Sequence, residues 1–243
     1  YRFGRSLNQM DEVEASLILY PELMATLVKL EIENGRAASA YERLKELLSE
    51  GQLRLEVARI YIGLAIEKKD QDQLEQIIFK NEIEQFPAEI LVPLFNSLLI
   101  DSSAATRQKY RRGLSAGFFD RHPTIAFMFQ VADSSGTVRQ QFSEVENEFR
   151  LTPRHAILLA EFLFHFGYHD LSGQMLNNAF KLEVVTEDEL DRIARLYLSI
   201  GEPETGLRFF QHHRRLLASD FATPQQLDRV YLLLATAAGR TDE

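Results

Sequence analysis

Residues 188–217 read DELDRIARLYLSIGEPETGLRFFQHHRRLL. Leu190, Ile193, Ala194 and Tyr197 fall at helical spacing, and the pattern runs to Ile200. Gly201 then stops it, because glycine tolerates the left-handed conformation that a helix C-cap asks for. A second apolar helical pattern follows, with Gly206 and Phe210 inside it. The stretch therefore predicts two helices joined by a tight turn at Gly201-Glu202. A unit of this size cannot bury its apolar stripe alone, so its meaning depends on whether it recurs.

It recurs on both sides. Turns are expected at Gly35, near Lys69-Asp70, near Ser102-Ser103, at Gly136, at Gly167 and at Gly201. Successive turns are about 34 residues apart, the period of a helical repeat array. The shortest step is the 31 residues from Gly136 to Gly167. The expected fold is all-α, with residues 21–224 forming about six helix pairs. Residues 1–20 read as a truncated preceding unit, and 225–243 as a terminal helix that caps the array or is the cut edge of a longer one.

Upstream of the opening stretch, Arg154 to Phe166 is apolar nearly all round and is expected to lie buried. Its partner runs from Leu171 to Leu182. Residues 36–49, 53–68 and 71–85 each carry one apolar side at helical spacing. Pro87, Pro123, Pro153 and Pro224 mark places where one unit hands over to the next, since proline cannot extend a helix but presets the start of one. Residues 88–119 fit worst. Pro93 is tolerable in a first helical turn only, Asn96 and Gln108 stand at the small positions, and irregular packing is expected. The last helix, 225–238, is expected to bury Leu227, Val230, Leu233 and Leu234.

Composition narrows the function. Hydrophobic residues make up 45% and charged residues 26% of the 243, as in a folded protein. The net charge of −9 disfavours nucleic acid and anionic membrane surfaces as partners. No apolar run approaches the length of a membrane span. The first residues, YRFGR, lack an initiator Met and a signal-like segment, so the chain is expected to be a piece of something longer. Absent cysteine removes disulfides, thiol nucleophiles and thiolate metal sites, and fits an oxidising compartment.

No cofactor or metal is expected. His165 and His169 are four apart, but Gly167 interrupts the helix between them, and no His-Glu-x-x-His run accompanies them. Glu144, Glu146 and Glu148 alternate along a helix and face different ways, so they form no acid–base pair. There is no glycine-rich phosphate loop and no nucleophile elbow, and the chain is not read as an enzyme. Two basic stretches stand out. His212-His213-Arg214-Arg215 offsets the negative end of a helix dipole, and is either a solvated helix end or a contact for an acidic partner. Arg107, Lys109, Arg111 and Arg112, with Arg121 beyond, form a basic island, either a solvated face or a docking patch for carboxylates or an anionic polymer.

The units also resemble the tetratricopeptide repeat. The residues carrying the likeness are Leu190, Ile193-Ala194, Tyr197, Gly201, Gly206 and Phe210; Ala156, Leu159-Ala160, Leu163, Gly167, Ser172, Leu176 and Ala179; and Leu27, Gly35, Ala40 and Leu44. Small residues at Ala160, Ser172, Ala194 and Gly206 let helices approach, while Tyr197, Leu176 and Phe210 fill the space between units. The resemblance implies a right-handed superhelical solenoid of antiparallel helix pairs, with first helices on the concave side. It places a binding surface at Lys29, Glu33, Arg59, Arg154, Glu161, His165, Arg192 and Arg195. The wording of residues 196–207, LYLSIGEPETGL, is also similar to bacterial arrays attached to exopolysaccharide export machinery. That likeness implies a non-catalytic scaffold, periplasmic or alternatively cytoplasmic, that holds another protein of its assembly. The alternative is direct binding of an anionic or amino-sugar polysaccharide.

Overall fold

The computed structural model describes residues 24–49, 55–80, 83–148, 152–179, 187–217 and 224–240. The truncated unit expected at 1–20 lies outside these. The protein is all-α: among the described residues there are helices and turns and no strand. The helices are α1 (Met24–Glu33), α2 (Ala37–Ser49), α3 (Leu55–Glu67), α4 (Gln71–Lys80), α5 (Ala88–Ile100), α6 (Ala104–Gly113), α7 (Phe118–Arg121), α8 (Pro123–Ala132), α9 (Val138–Glu148), α10 (Pro153–His165), α11 (His169–Ala179), α12 (Glu187–Ile200), α13 (Pro203–Leu217) and α14 (Pro224–Ala237). The chain forms two compact units, one through Ile90 and one from Leu91.

The period is written in backbone hydrogen bonds. At Gly201, the Gly201 N–H donates to Leu198 O at 3.2 Å and the Glu202 N–H donates to Tyr197 O at 2.9 Å. This pair of bonds is the Schellman motif, which needs a left-handed residue at its corner. The same two bonds form at Gly35-Arg36, Lys69-Asp70, Ser134-Ser135, Gly167-Tyr168 and Gly239-Arg240. The corner residues have φ of 76°, 54°, 53°, 83°, 87° and 71° at Gly35, Lys69, Ser134, Gly167, Gly201 and Gly239. The turn expected at Gly136 is therefore made by Ser134. Ser135 and Gly136 lie between that corner and Thr137, whose carbonyl accepts the first bond of α9 from Gln141. The short step from Gly136 to Gly167 reflects these two extra residues.

The turn at 102–103 breaks the rule. Ser102 N–H reaches Leu99 O at 3.3 Å, but the second Schellman bond is not made there. Ser103 instead caps α6, its Oγ accepting from the Thr106 N–H at 3.1 Å. Such a cap is worth about 1 kcal/mol. Pro93 lies in the interior of α5, beyond the first turn, where proline costs about 3 kcal/mol. The helix continues because Ile90, Leu91, Val92, Leu94, Phe95, Leu98 and Leu99 are all buried. Each large apolar side chain contributes roughly 1.5–3 kcal/mol, which outweighs the break.

Packing joins near neighbours along the chain. In the first unit α1 packs on α2 and α3, and α2 on α3 and α4. In the second, α10 packs on α11 and α12, α12 on α13 and α14, and α9 on α8 and α11. Small residues sit where helices close up. Ser172 is fully buried and its Oγ donates to Ala160 O at 2.7 Å. A Cβ on Gly206 would lie 2.8 Å from Tyr197 Cβ and 2.9 Å from Leu234 Cδ2, so α12, α13 and α14 all meet there. Pro123, Pro153, Pro203 and Pro224 each open a helix, where the missing N–H is harmless.

Counted back from the left-handed corners, Ala160 and Ala194 each stand seven residues before one. The residue that matches them in α5 is Phe95, counted from Ser102, and not Asn96. No small residue is needed there, because aromatic rings fill the gap. Phe95 lies 6.0 Å from Phe118 and 5.6 Å from Phe129, and Phe119 meets Phe129 at 5.3 Å. Phe118 reaches this cluster on α7, a short helix that the apolar periodicity does not announce.

Candidate functional site

The expected binding residues fall in both units. In the first, Lys29 and Glu33 are exposed on α1 and Arg59 is exposed on α3. In the second, Arg154, His165 and Arg195 are exposed, while Glu161 and Arg192 are half-buried.

Glu161 and Arg192 meet each other. The Arg192 Nε donates to Glu161 Oε1 at 2.9 Å, and Nη2 donates to Oε2 in the same fork. The fork ties α10 to α12, two successive first helices. The hydrogen bonds from Glu161 hold the Arg192 guanidinium above its ordinary pKa. Arg195 lies on α12 and donates from Nε to Asp191 Oδ2, one turn back, at 2.7 Å. Glu161 and Arg195 occupy the same place, six residues before their corner glycines. Lys29 and Asn96 occupy it in their own helices, Asn96 counted from Ser102. Asn96 was expected only as a misfit at a small position; it stands instead at this place, and its Oδ1 is buried without a hydrogen-bond partner. Counting back from the turn, and not from the apolar stripe, is the signal that finds it.

His165 is turned to a structural task. Its Nε2 lies 3.2 Å from Ile100 O, at the end of the helix whose turn lacks the second Schellman bond. Two other side chains serve the same end: Ser102 Oγ donates to Leu99 O at 2.9 Å, and Arg107 Nη1 donates to Ser102 O at 2.5 Å. Orphan carbonyls at a helix C-terminus need such donors. His169 stacks on Phe164 at 4.7 Å.

The basic island divides. Arg107 and Arg111 share a face of α6, and that face is turned to Asp133. Arg107 Nε donates to Asp133 Oδ1 at 2.7 Å, and Arg111 Nη2 to Oδ2 at 2.6 Å. The Arg111 guanidinium also lies over the rings of Phe129 at 4.9 Å and Phe119 at 5.7 Å. Lys109 and Arg112 are exposed. The side chains of 212–215 and of Glu144, Glu146 and Glu148 lie outside the described residues.

Among the described residues no group of three or more His, Cys, Asp or Glu side chains is placed to hold a metal ion. Among them, too, no helix is long and apolar enough to cross a membrane. No family model, no curated protein and no solved structure matches the chain.

Proposed function

We propose that the protein is a non-catalytic scaffold of the tetratricopeptide kind, holding another protein of a larger assembly. The carrying observation is the recurrence of one Schellman cap every 33 or 34 residues over Gly35 to Lys69 and Ser134 to Gly167 to Gly201, with each helix packed on its nearest neighbours. Within each unit we read the helix pairs as antiparallel and stacked as a right-handed solenoid. Such stacking makes stability close to a sum of neighbour terms and leaves one face of the first helices open. In the first unit that face offers Lys29, Glu33 and Arg59. In the second it offers Arg154, the Glu161–Arg192 fork and Arg195. Mixed charge of this kind suits selective recognition of a protein more than capture of a uniformly charged polymer.

The residue usage and the lack of cysteine support a place in a bacterial envelope assembly, the periplasmic side of exopolysaccharide secretion. Two parallel binding series test the reading. One offers purified candidate envelope proteins, and the other a panel of anionic and amino-sugar polysaccharides. Saturable binding to a protein at micromolar affinity or better supports the scaffold. Binding to a polysaccharide with no protein partner overturns it in favour of direct polymer binding.

A further inference from the structure

On α14, Leu232 and, against expectation, Leu233 are 62% and 46% exposed, and nothing in the structure says what covers them. The first cap carries a more complete chemistry. Asn34-Gly35 is the single Asn-Gly pair of the chain, and it forms the corner between α1 and α2. Asparagine is chemically labile, most of all before glycine. Both residues are exposed. Gly35 has no side chain to shield its amide nitrogen, and a Cβ there would meet nothing within 4 Å, so water and hydroxide have open access.

In such a pair the glycine nitrogen is the nucleophile. Hydroxide removes the Gly35 N–H proton, the nitrogen attacks Asn34 Cγ, and the new N–Cγ bond closes a succinimide ring. The Cγ–Nδ2 bond breaks, and the leaving group takes a proton from water to depart as ammonia, which restores the hydroxide. Water then opens the ring at either carbonyl. Breaking the N–Cγ bond gives aspartate. Breaking the bond between Gly35 N and the main-chain carbonyl carbon gives isoaspartate, with the chain rerouted through Cβ.

The native cap holds both reacting groups in other bonds. Asn34 Nδ2 donates to Leu30 O at 2.7 Å, which keeps Cγ turned back along α1. The Gly35 N–H donates to Ile32 O at 2.9 Å, and the Arg36 N–H closes the motif on Glu31 O at 2.8 Å. Ring closure needs the side chain and the Gly35 N–H released together. We propose that Asn34-Gly35 is a site of spontaneous deamidation, gated by opening of the first Schellman cap. Neither product restores the cap in full. Aspartate lacks the donor to Leu30 O and puts a carboxylate at the negative end of the α1 dipole. Isoaspartate adds a carbon to the backbone inside the motif. The reaction therefore loosens the turn that joins the first helix pair, beside exposed Glu33. It is independent of the scaffold reading.

The test ages the whole chain beside a synthetic peptide of residues 31–38, EIENGRAA, in mildly alkaline buffer. Peptide mapping by mass spectrometry follows position 34 in both. Aspartate and isoaspartate should both appear in the chain, at a rate at least about tenfold below the peptide's, because several hydrogen bonds of ordinary net strength must open first. Urea below the unfolding midpoint should speed the reaction in the chain by more than the unfolded fraction, read by circular dichroism, accounts for. The urea midpoint of the aged wild type should fall, while Asn34→Gln should keep its own midpoint on ageing. Asn34→Asp should show part of the fall without ageing. A chain rate equal to the peptide's, or one that follows the unfolded fraction alone, overturns the gating by the cap. No conversion in the folded chain, while the urea-unfolded chain converts, overturns the site itself.

Discussion

His165 Nε2 lies 3.2 Å from the carbonyl oxygen of Ile100, across 65 residues of sequence. The bond supplies a donor to the helix end at which the repeating turn fails. His165→Phe keeps an aromatic ring and removes the donor. The expected cost is about 0.5–1.5 kcal/mol, the net value of one hydrogen bond, read as a lower urea midpoint at unchanged slope. An unchanged midpoint would show that water serves Ile100 O equally well.

The corner residues give a sharper contrast. Gly35→Ala, Gly167→Ala and Gly201→Ala each force a Cβ into left-handed backbone and should cost about 1–2 kcal/mol apiece. The corners share no partner, so the costs should add. Gly136→Ala should be neutral within about 0.5 kcal/mol, because Gly136 is not the corner and its Cβ would meet nothing within 4 Å. Ser134→Gly should stabilise by up to about 1 kcal/mol, since it relieves a non-glycine residue at positive φ. A costly Gly136→Ala would return the turn to position 136.

Gly206→Ala tests the close approach of α12, α13 and α14. Helix propensity alone favours alanine by up to about 1 kcal/mol. The contacts at 2.8 and 2.9 Å oppose it, and overpacking of this kind costs about 1–3 kcal/mol. Net destabilisation in thermal melts is expected. A rise in Tm would show that the helices separate without cost.

Two titrations carry opposite signs. Hydrogen bonds from Arg139 hold the Asp170 carboxyl below its ordinary value. Its contribution is present above the carboxylate range and is lost as pH falls through the lowered value. Asp170→Asn should flatten the acid side of the stability profile, and added salt should shrink the difference because the pair is exposed. Burial pushes the Tyr61 phenol up to about 12, from an ordinary 10.0. That contribution is complete below pH 10 and disappears as pH rises toward 12. Tyr61→Phe should remove part of the alkaline loss. Tyr41 stacks on Tyr61 at 5.3 Å. It is raised as well, first by burial and then by its bond to Asp70, so the double variant should remove more.

Most of the helices were legible because glycine, proline and apolar spacing act locally. Gly35, Gly167 and Gly201 were found as turns for the reason they serve: glycine alone enters left-handed backbone without strain. Lys69 was also placed in its turn, although lysine gives no such signal, because the period pointed there. Gly136 misled, since a glycine beside a turn is not always its corner. Phe118 and α7 were missed because one helical turn carries no periodicity. Glu161, Arg192 and Arg195 were named one by one as surface residues. The Glu161–Arg192 fork was beyond sequence, because it depends on how close two helices 31 residues apart are brought. The inward turn of Arg107 and Arg111 depends likewise on Asp133, in a different helix.

Once a protein partner is in hand, the affinity of surface variants tests the scaffold directly. Lys29→Glu/Arg59→Glu addresses the first unit, and Arg154→Glu/Arg195→Glu the second. All four residues are exposed, so folding should hold, and a urea midpoint within about 0.5 kcal/mol of wild type checks that. In isothermal titration at low salt, at least one double variant should lose about tenfold or more in affinity, near 1.4 kcal/mol. Wild-type affinity in both double variants would contradict the claim that the open face of the first helices is where this protein holds its partner.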